Sequence, residues 1–477
     1  MKYSLINEQI YEQENNKLLL NVFKEFFNPN SPRYEENSLE LYITSACNQR
    51  CEYCYLVQNE DKIYPKEYRD HNLIINNFKI LLSFLIEQKI YPRKFDFFTG
   101  EIWHTSFGLE ILDIFLNDYI KIAPVKPKII VIPSNMWFVL NDNQTQKIEK
   151  YIYEYGLYKT FIMFSCSNDG AILDEKNRPC KNSNDTKMKE TDDFYKKMFT
   201  FCRKYGYGFH PMVNANSIED WTEQYKWWIN NVKINCDARD EREFMNKFLS
   251  LEVRNDEWTE EKIICYLNFL NDIIDFCLEE VFNNNLELFL QVAFGLNTNM
   301  HNYLIWSLFP QTKGANCGIE RFACVRLGDL SWTPCHRTSY NQFIFGTFQV
   351  EDDKIVGIQA KNLPLLTAVH GASYKGRMKC DSCPIADYCM RGCYGAQYEA
   401  TNEIFYPIES VCNLFYAKLI FLFSKYSKMI EDNKNLLPDK KDIQNVKQIL
   451  HSIDNDIIKY IPLEVINKWK IIIDPII

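Results

Sequence analysis

The sequence predicts an α/β fold in which a parallel sheet carries helices on its outside and a cysteine-rich region follows. Three observations predict it. From Leu39 to about residue 300, short β-rich runs alternate with longer stretches that are apolar at helical spacing. After about residue 300 that periodicity fades and Gly and Pro become frequent. Cysteines crowd into two places, residues 47–54 and residues 317–412.

Residues 1–38 read as a polar, partly helical lead-in that ends near Asn30-Ser31-Pro32. LELYI (39–43) is the first predicted strand, FDFF (95–98) the second and KIIVI (128–132) the third. FIMFS (161–165), FHPMV (209–213) and LSLEV (249–253) follow. Residues 73–88 and 109–120 are apolar at helical spacing, and 257–281 form a strong helix with Thr259 as its cap. Such alternation builds either an open sheet or a barrel, and in both the C-terminal strand ends carry function. This region spans 39–300. A cysteine-rich region spans 301–413, irregular enough to need metal to hold it. A C-terminal segment, 414–477, opens with an apolar helix over 414–430 and ends polar and Lys-rich.

The chain has 477 residues, of which 46% are hydrophobic and 15% aromatic, enough for a large core. A formal net charge of −9 argues against a broad nucleic-acid surface. The first residues, MKYSLINEQIYEQENN, lack the apolar core of a signal peptide, and no apolar run approaches the ~20 residues that cross a bilayer. The expectation is a cytoplasmic protein with no membrane or nucleic-acid partner. The 17 cysteines, odd in number and clustered, then fit metal better than disulfides.

Cys47, Cys51 and Cys54 follow directly on the first predicted strand, in SACNQRCEYC. Three thiolates on one loop hold three irons of a [4Fe–4S] cube and leave the fourth iron open to a small chelating molecule. A zinc loop is the alternative from spacing alone. The pattern C-x3-C-x2-C, with Tyr53 before its last cysteine, resembles the signature of radical S-adenosylmethionine (radical SAM) enzymes. The resemblance implies a partial (β/α)6 TIM-like barrel. It also implies a cluster on Cys47, Cys51 and Cys54 that cleaves S-adenosylmethionine to a 5′-deoxyadenosyl radical, which abstracts hydrogen from substrate. Gly100 and Glu101 match the family's Gly-Gly-Glu, with Thr99 in place of the first Gly. Ser134-Asn135 resembles its Thr-Asn-Gly turn, with Met136 in place of the Gly. Ser167, Asp169 and Gly170 resemble its Ser-x-Asp-Gly turn, and Arg178 lies downstream. By that likeness Tyr53, Gly100, Glu101, Ser134, Asn135, Ser167, Asp169 and Arg178 bind S-adenosylmethionine.

In the second cluster of cysteines, Cys380-x2-Cys383-x5-Cys389-x3-Cys393 is followed by Cys412 and preceded by Cys317, Cys324 and Cys335. Spacing alone allows two zinc sites or two iron–sulfur clusters. The pattern resembles the SPASM extension of radical SAM enzymes, which implies two auxiliary [4Fe–4S] clusters and three in all. The first would use Cys317, Cys324, Cys335 and Cys393, and the second Cys380, Cys383, Cys389 and Cys412. His336 stands just after Cys335, where sulfatase-maturing members carry an Asp base, and is a candidate base itself. Cys202, Cys265 and Cys277 read as small core residues, whereas Cys166 or Cys180 is a candidate hydrogen donor. The stretch 218–246, with Trp221, Trp227 and Trp228, reads as outer-helix packing, with leader-peptide binding as the other option.

Relatives with this pairing mostly modify peptides or proteins. The implied activity is oxidative maturation of a ribosomally made peptide by crosslink or thioether, with a flavodoxin or ferredoxin as electron donor. Formylglycine formation in a sulfatase, radical chemistry on a small molecule, and a zinc-rich module without catalysis are the alternatives.

Overall fold

A computed structural model describes residues 2–63, 65–98, 100–104, 107–181, 187–188, 192–235, 251–253, 255–294, 319–370, 379–380, 382–386, 392–435, 437 and 441–477. The chain divides into two compact units, and both are discontinuous in sequence. The first comprises Met1–Cys166, Cys180–Met188 and Gly318–Ser373, and the second Ser167–Pro179, Lys189–Cys317 and Tyr374–Ile477.

The first unit is built on an eight-stranded sheet. Strands β1 (Ser38–Tyr42), β2 (Lys94–Phe98), β3 (Ile129–Ser134) and β4 (Phe161–Cys166) run parallel, at the positions expected from sequence. Helices connect them: α1 (Lys2–Phe26) precedes β1, α2 (Tyr55–Ile63) and α3 (His71–Glu87) follow it, α4 (Phe107–Ile114) follows β2, and α5 (Asp142–Leu157) follows β3. Two-residue strands β5 (Cys180–Lys181) and β6 (Lys187–Met188) pair with each other, as do β7 (Met212–Val213) and β8 (Leu251–Glu252) in the second unit. Strands β9 (Phe322–Arg326), β10 (Ser331–Thr333), β11 (Gly346–Glu351) and β12 (Lys354–Ala360) complete the large sheet, in the order β12-β11-β10-β9-β1-β2-β3-β4. β9 lies parallel to β1, and β10, β11 and β12 form an antiparallel meander beyond it. The α/β fold class with a parallel sheet therefore holds. The stretch expected to be irregular after residue 300 supplies four of its eight strands.

Strand alternation gives the two faces different characters. Leu39, Leu41, Phe95, Phe97, Ile130, Ile132, Ile162 and Phe164 are buried on the helix-covered face. There Phe97 meets Phe78 of α3, and Phe95 and Phe97 lie edge-on to Phe115. Burying each such side chain contributes about 1.5–3 kcal/mol. The opposite face carries Glu40, Asp96 and Cys324 in register with one another, and Tyr42 beside Phe98 and Arg326. Parallel sheets are normally apolar on both sides, so acids on this face mark it as the functional one.

The lead-in helix α1 belongs to this sheet. Its Leu19, Phe23 and Phe27 repeat every four residues and are buried. Phe23 packs edge-on against Trp332 and Phe348, and Asn16 Oδ1 accepts from the Ala360 backbone N–H of β12 at 2.7 Å. α1 thus satisfies a donor on the edge strand.

The second unit is helical. Helix Glu260–Glu280 is capped by Thr259 as expected, its hydroxyl accepting from Lys262 N–H at 3.4 Å. Tyr266, Leu270, Ile273 and Cys277 bury one face of it, and helix Glu409–Asp432, which buries Leu414, Phe421 and Tyr426, packs alongside. Lys425 crosses between the two helices to Asp275, at 2.7 Å. Helix Trp221–Asn235 buries Trp221 and Trp228, so the packing reading of that stretch holds as far as residue 235; the rest of it and the first two residues of the sixth predicted strand lie outside the described residues. Among the described residues no helix is long and apolar enough to cross a membrane.

Candidate functional site

The loop that carries Cys47, Cys51 and Cys54 leaves the C-terminal end of β1. Its own polar residues Thr44, Ser45, Asn48 and Gln49 are buried. Backbone bonds from the loop after β2 pin it from one side: Gly100 N–H donates to Thr44 O, and Glu101 N–H to Ala46 O, both at 2.7 Å. Gly100 is required for this approach. A Cβ there would stand 2.7 Å from Ser45 O and 2.8 Å from the Ala46 carbonyl carbon, inside van der Waals contact. Thr99 lies outside the described residues.

A second tier fixes the same loop from β3. The buried Glu101 carboxylate accepts from Asn135 N–H at 2.7 Å and from Ser134 Oγ at 3.2 Å. Asn135 Nδ2 in turn donates to Asn48 Oδ1 at 2.7 Å, inside the cysteine loop. Glu101, Ser134 and Asn135 thus come together as a chain of struts tied to the cysteine loop. Met136 sits at φ 66°, in the left-handed region, and is fully buried. Apolar packing holds that residue in a backbone conformation glycine adopts without strain.

The third contact is with Cys180. Gln49 and Cys180 form a β-bridge, and Asn48 Nδ2 lies 3.3 Å from Cys180 Sγ. Cys180 is buried against the cysteine loop, whereas Cys166 is buried at the end of β4 in register with Ser134. Cys202 and Cys277 are buried as expected and Cys265 is half-buried. Cys51 is buried, and Cys47, Cys54 and Tyr53 are half-buried.

His336 lies beside this loop, on the acidic face of the sheet. Its ring stacks on Phe98, with centroids 3.5 Å apart and planes within 5°. Its Nδ1 is 3.1 Å from Glu40 Oε1, and its backbone N–H donates to Glu40 Oε2 at 2.6 Å. A buried carboxylate only accepts, so Nδ1 carries the proton and Nε2 keeps its lone pair in the neutral ring. Tyr55, one residue past Cys54, donates to His336 O at 3.4 Å and stacks under the Arg337 guanidinium at 4.1 Å. Buried Arg326 ties the parts together, donating to Ile63 O at the end of α2, to Ser339 O, and to Asp329. Beside Glu40, Asp96 bonds Ser38, and burial pushes its pKa up to about 6 against the pull of Lys94.

Glu40, Asp96, Tyr55 and Arg326 were missed by sequence reasoning. One signal was present: each acid interrupts an apolar strand, in LELYI and in FDFF.

Ser167, Asp169 and Arg178 lie in the second unit, in one folded segment. Asp169 accepts from Met212 N–H at 3.1 Å and Asn177 Nδ2 at 3.3 Å, and Arg178 lies 3.9 Å from Asp169 and 3.8 Å from Asp174. His210 stands near Arg178, and burial lowers its pKa to about 4. Gly170 has φ 97°, and a Cβ on it would meet Trp228 Nε1 at 2.8 Å. Gln224 Oε1 accepts from Ile172 and Leu173 N–H at 2.8 and 2.9 Å and locks the turn.

The remaining cysteines fall in two places. Cys324 and Cys335 lie in the first unit, where burial raises the Cys324 thiol pKa. Cys324 Sγ is 3.7 Å from Ser339 Oγ, and Cys335 Sγ is 3.3 Å from Thr338 Oγ1. In the second unit Cys380, Cys383, Cys393 and Cys412 line one cavity of about 40 Å³, whose lining also includes Ile385, Val411 and Phe415. Cys317 and Cys389 lie outside the described residues. Among the described residues no three His, Cys, Asp or Glu side chains converge on a single metal-ion position. An iron–sulfur cube presents each iron to its own thiolate, so its ligands stand around a volume rather than a point. The thiols of Cys380, Cys383 and Cys412 around this cavity fit that demand.

The sequence matches no protein-family model and no curated protein. Solved structures do match. One is native anSMEcpe with bound AdoMet, 18% identical, with a TM-score of 0.50 over 84% of this chain and 100% of that one. The same protein with AdoMet and the Kp18Cys peptide aligns at 17% identity and a TM-score of 0.49, over 83% and 99%. SuiB of Streptococcus suis aligns at 12% and 0.41, over 78% and 76%. At these identities the likeness establishes the fold, and the first alignment carries it.

Proposed function

We propose that this chain is a radical SAM enzyme with a SPASM region, acting oxidatively on a ribosomally made peptide to form a crosslink or thioether. The observation that carries the reading is the loop bearing Cys47, Cys51 and Cys54 at the C-terminal end of β1, pinned by backbone bonds from Gly100 and Glu101 and by the Asn135–Asn48 bond. The fold it shares with a structure holding AdoMet supports it. When bound, the cluster on Cys47, Cys51 and Cys54 would supply one electron to cleave S-adenosylmethionine and so start hydrogen abstraction from the peptide.

The chain's own residues do the rest. Gly100 lets backbone reach the loop, and Glu101 with Ser134 and Asn135 keeps its geometry through binding. Tyr53, Ser167, Asp169 and Arg178 complete the S-adenosylmethionine contacts. His336 holds its Nε2 free of the Glu40 contact, and that nitrogen takes the proton released on substrate oxidation. Cys324 and Cys335, with Cys317 and Cys393, would hold one auxiliary cluster. Cys380, Cys383, Cys389 and Cys412 would hold the other, and both would pass the substrate electron onward. A cytoplasmic location and a flavodoxin or ferredoxin donor follow from this reading.

The test is an anaerobic reaction of reconstituted protein, S-adenosylmethionine, a strong reductant and the peptide encoded beside the gene. The expected outcome is 5′-deoxyadenosine in step with a peptide lighter by two hydrogens. An aldehyde at a Cys or Ser would report sulfatase maturation instead. Colourless protein that binds zinc and yields no 5′-deoxyadenosine would replace the enzyme with a binding module.

A further inference from the structure

We propose that Tyr416 tunes the iron–sulfur cluster of the Cys380–Cys412 cavity by donating a hydrogen bond to the sulfur of Cys383; this rests on the iron–sulfur reading above. Tyr416 Oη lies 3.2 Å from Cys383 Sγ. Helix Glu409–Asp432 places it there: Tyr416 stands four residues after Cys412, so one helical turn brings the phenol onto the face that carries the cysteine. Both side chains line the cavity, as does Phe415 between them.

The direction of the bond follows from chemistry. A metal-bound cysteine is a thiolate and only accepts, so the phenol O–H is the donor. Most of the remaining lining, Ile385, Val411 and Phe415 among it, is apolar, with Gln397 adding an amide, and in such surroundings a hydrogen bond to an anionic sulfur is screened less than in water. The bond draws negative charge from the sulfur. It therefore favours the reduced, more negative cluster and raises its potential. Tyr416 is a positioning residue in this scheme. The bond is the same whether Cys389 or Cys393 supplies the fourth ligand, because it reaches the cluster through Cys383.

The experiment uses the full chain with Cys47, Cys51 and Cys54 changed to Ala, so that only auxiliary clusters remain. Iron and acid-labile sulfide are counted, and a redox titration is followed by electron paramagnetic resonance, with and without Tyr416→Phe. The expected result is unchanged iron and sulfide, with one midpoint displaced to more negative potential. A tenfold change in the reduction equilibrium reads as about 59 mV for one electron. An unmoved midpoint at full iron content overturns the proposal. So does loss of iron in Tyr416→Phe, which would make the tyrosine a packing residue. Phe415→Leu reshapes the same wall without touching the phenol and should leave the midpoint in place; an equal displacement there also overturns it. A parent protein without iron or sulfide in this region would remove the iron–sulfur reading itself, an outcome distinct from an unmoved midpoint.

Discussion

The cysteine loop after β1 and the cysteine cavity of the second unit present thiols in opposite ways. The loop is held by polar contacts behind it. Gly100 and Glu101 N–H groups reach its carbonyls at 2.7 Å, and Asn135 reaches its Asn48. The cavity is lined mostly by apolar side chains, with Tyr416 touching Cys383. A loop held by polar contacts to its own backbone and side chains suits a cluster that must exchange a bound molecule. A walled cavity suits one that stays and exchanges electrons.

The largest effects would break this contrast outright. Cys51→Ala should abolish 5′-deoxyadenosine formation, whereas Cys383→Ala should keep some of it and lose modified peptide. Assaying both products in the two variants checks the pair, and an equal loss of cleavage would mean that the regions are not separable.

Next comes the bracing itself. Gly100→Ala puts a Cβ 2.7 Å from Ser45 O, so the loop must move. A displacement of that kind costs on the order of 100-fold in rate. Cleavage kinetics at matched iron content test it, and full activity would show that the close approach does not matter.

The acidic face gives a smaller, pH-dependent effect. Asp96 is raised to about 6 in the folded chain, from 3.8, first by burial and then by Glu40. The folded state therefore holds its proton more tightly than the unfolded chain. Ionised Asp96 weakens folding fully above about pH 6 and not at all below about pH 4. Asp96→Asn should stabilise by about 3 kcal/mol at pH 7.5, with the gain shrinking as pH falls from 6 to 4. Thermal melts across that range would show it, and a gain constant with pH would exclude the carboxylate as its source.

The smallest effect is the control for Gly100. Gly156, near the end of α5, has nothing within 4 Å of where an added methyl would stand. Gly156→Ala should leave activity alone and stabilise by about 0.5–1 kcal/mol, read as a small rise in melting temperature.

Much of this was legible in the sequence because the signals were local. β2 to β4 are dense in β-branched and aromatic residues, β1 alternates Leu39 and Leu41 with polar residues, and the cysteine loop is contiguous with it. Thr259 is a cap that needs only its own helix. β9 and β10 were missed because FACVR and SWT carry Cys, Arg and Ser on the polar face, which hides the apolar alternation. The role of α1 was missed although Leu19, Phe23 and Phe27 stand at helical spacing, because a polar average masked one apolar stripe. Glu40 and His336 are 296 residues apart, and no local pattern pairs them. The roles proposed for the auxiliary cysteines came from a family likeness, since spacing carries no record of which thiols share a cluster.

The parallel pairing of β1 with β9 has a consequence for biosynthesis. β1 is complete at Tyr42, but its neighbour β9 ends at Arg326, so the slot between them stays open while the intervening chain is made. At typical translation rates that wait lasts on the order of tens of seconds. Throughout it the nascent protein carries an unpaired central strand edge, together with three unoccupied thiols just beyond it. Holding that edge until its late partner arrives is a task for chaperones, and expression that outpaces them should favour aggregates seeded at β1.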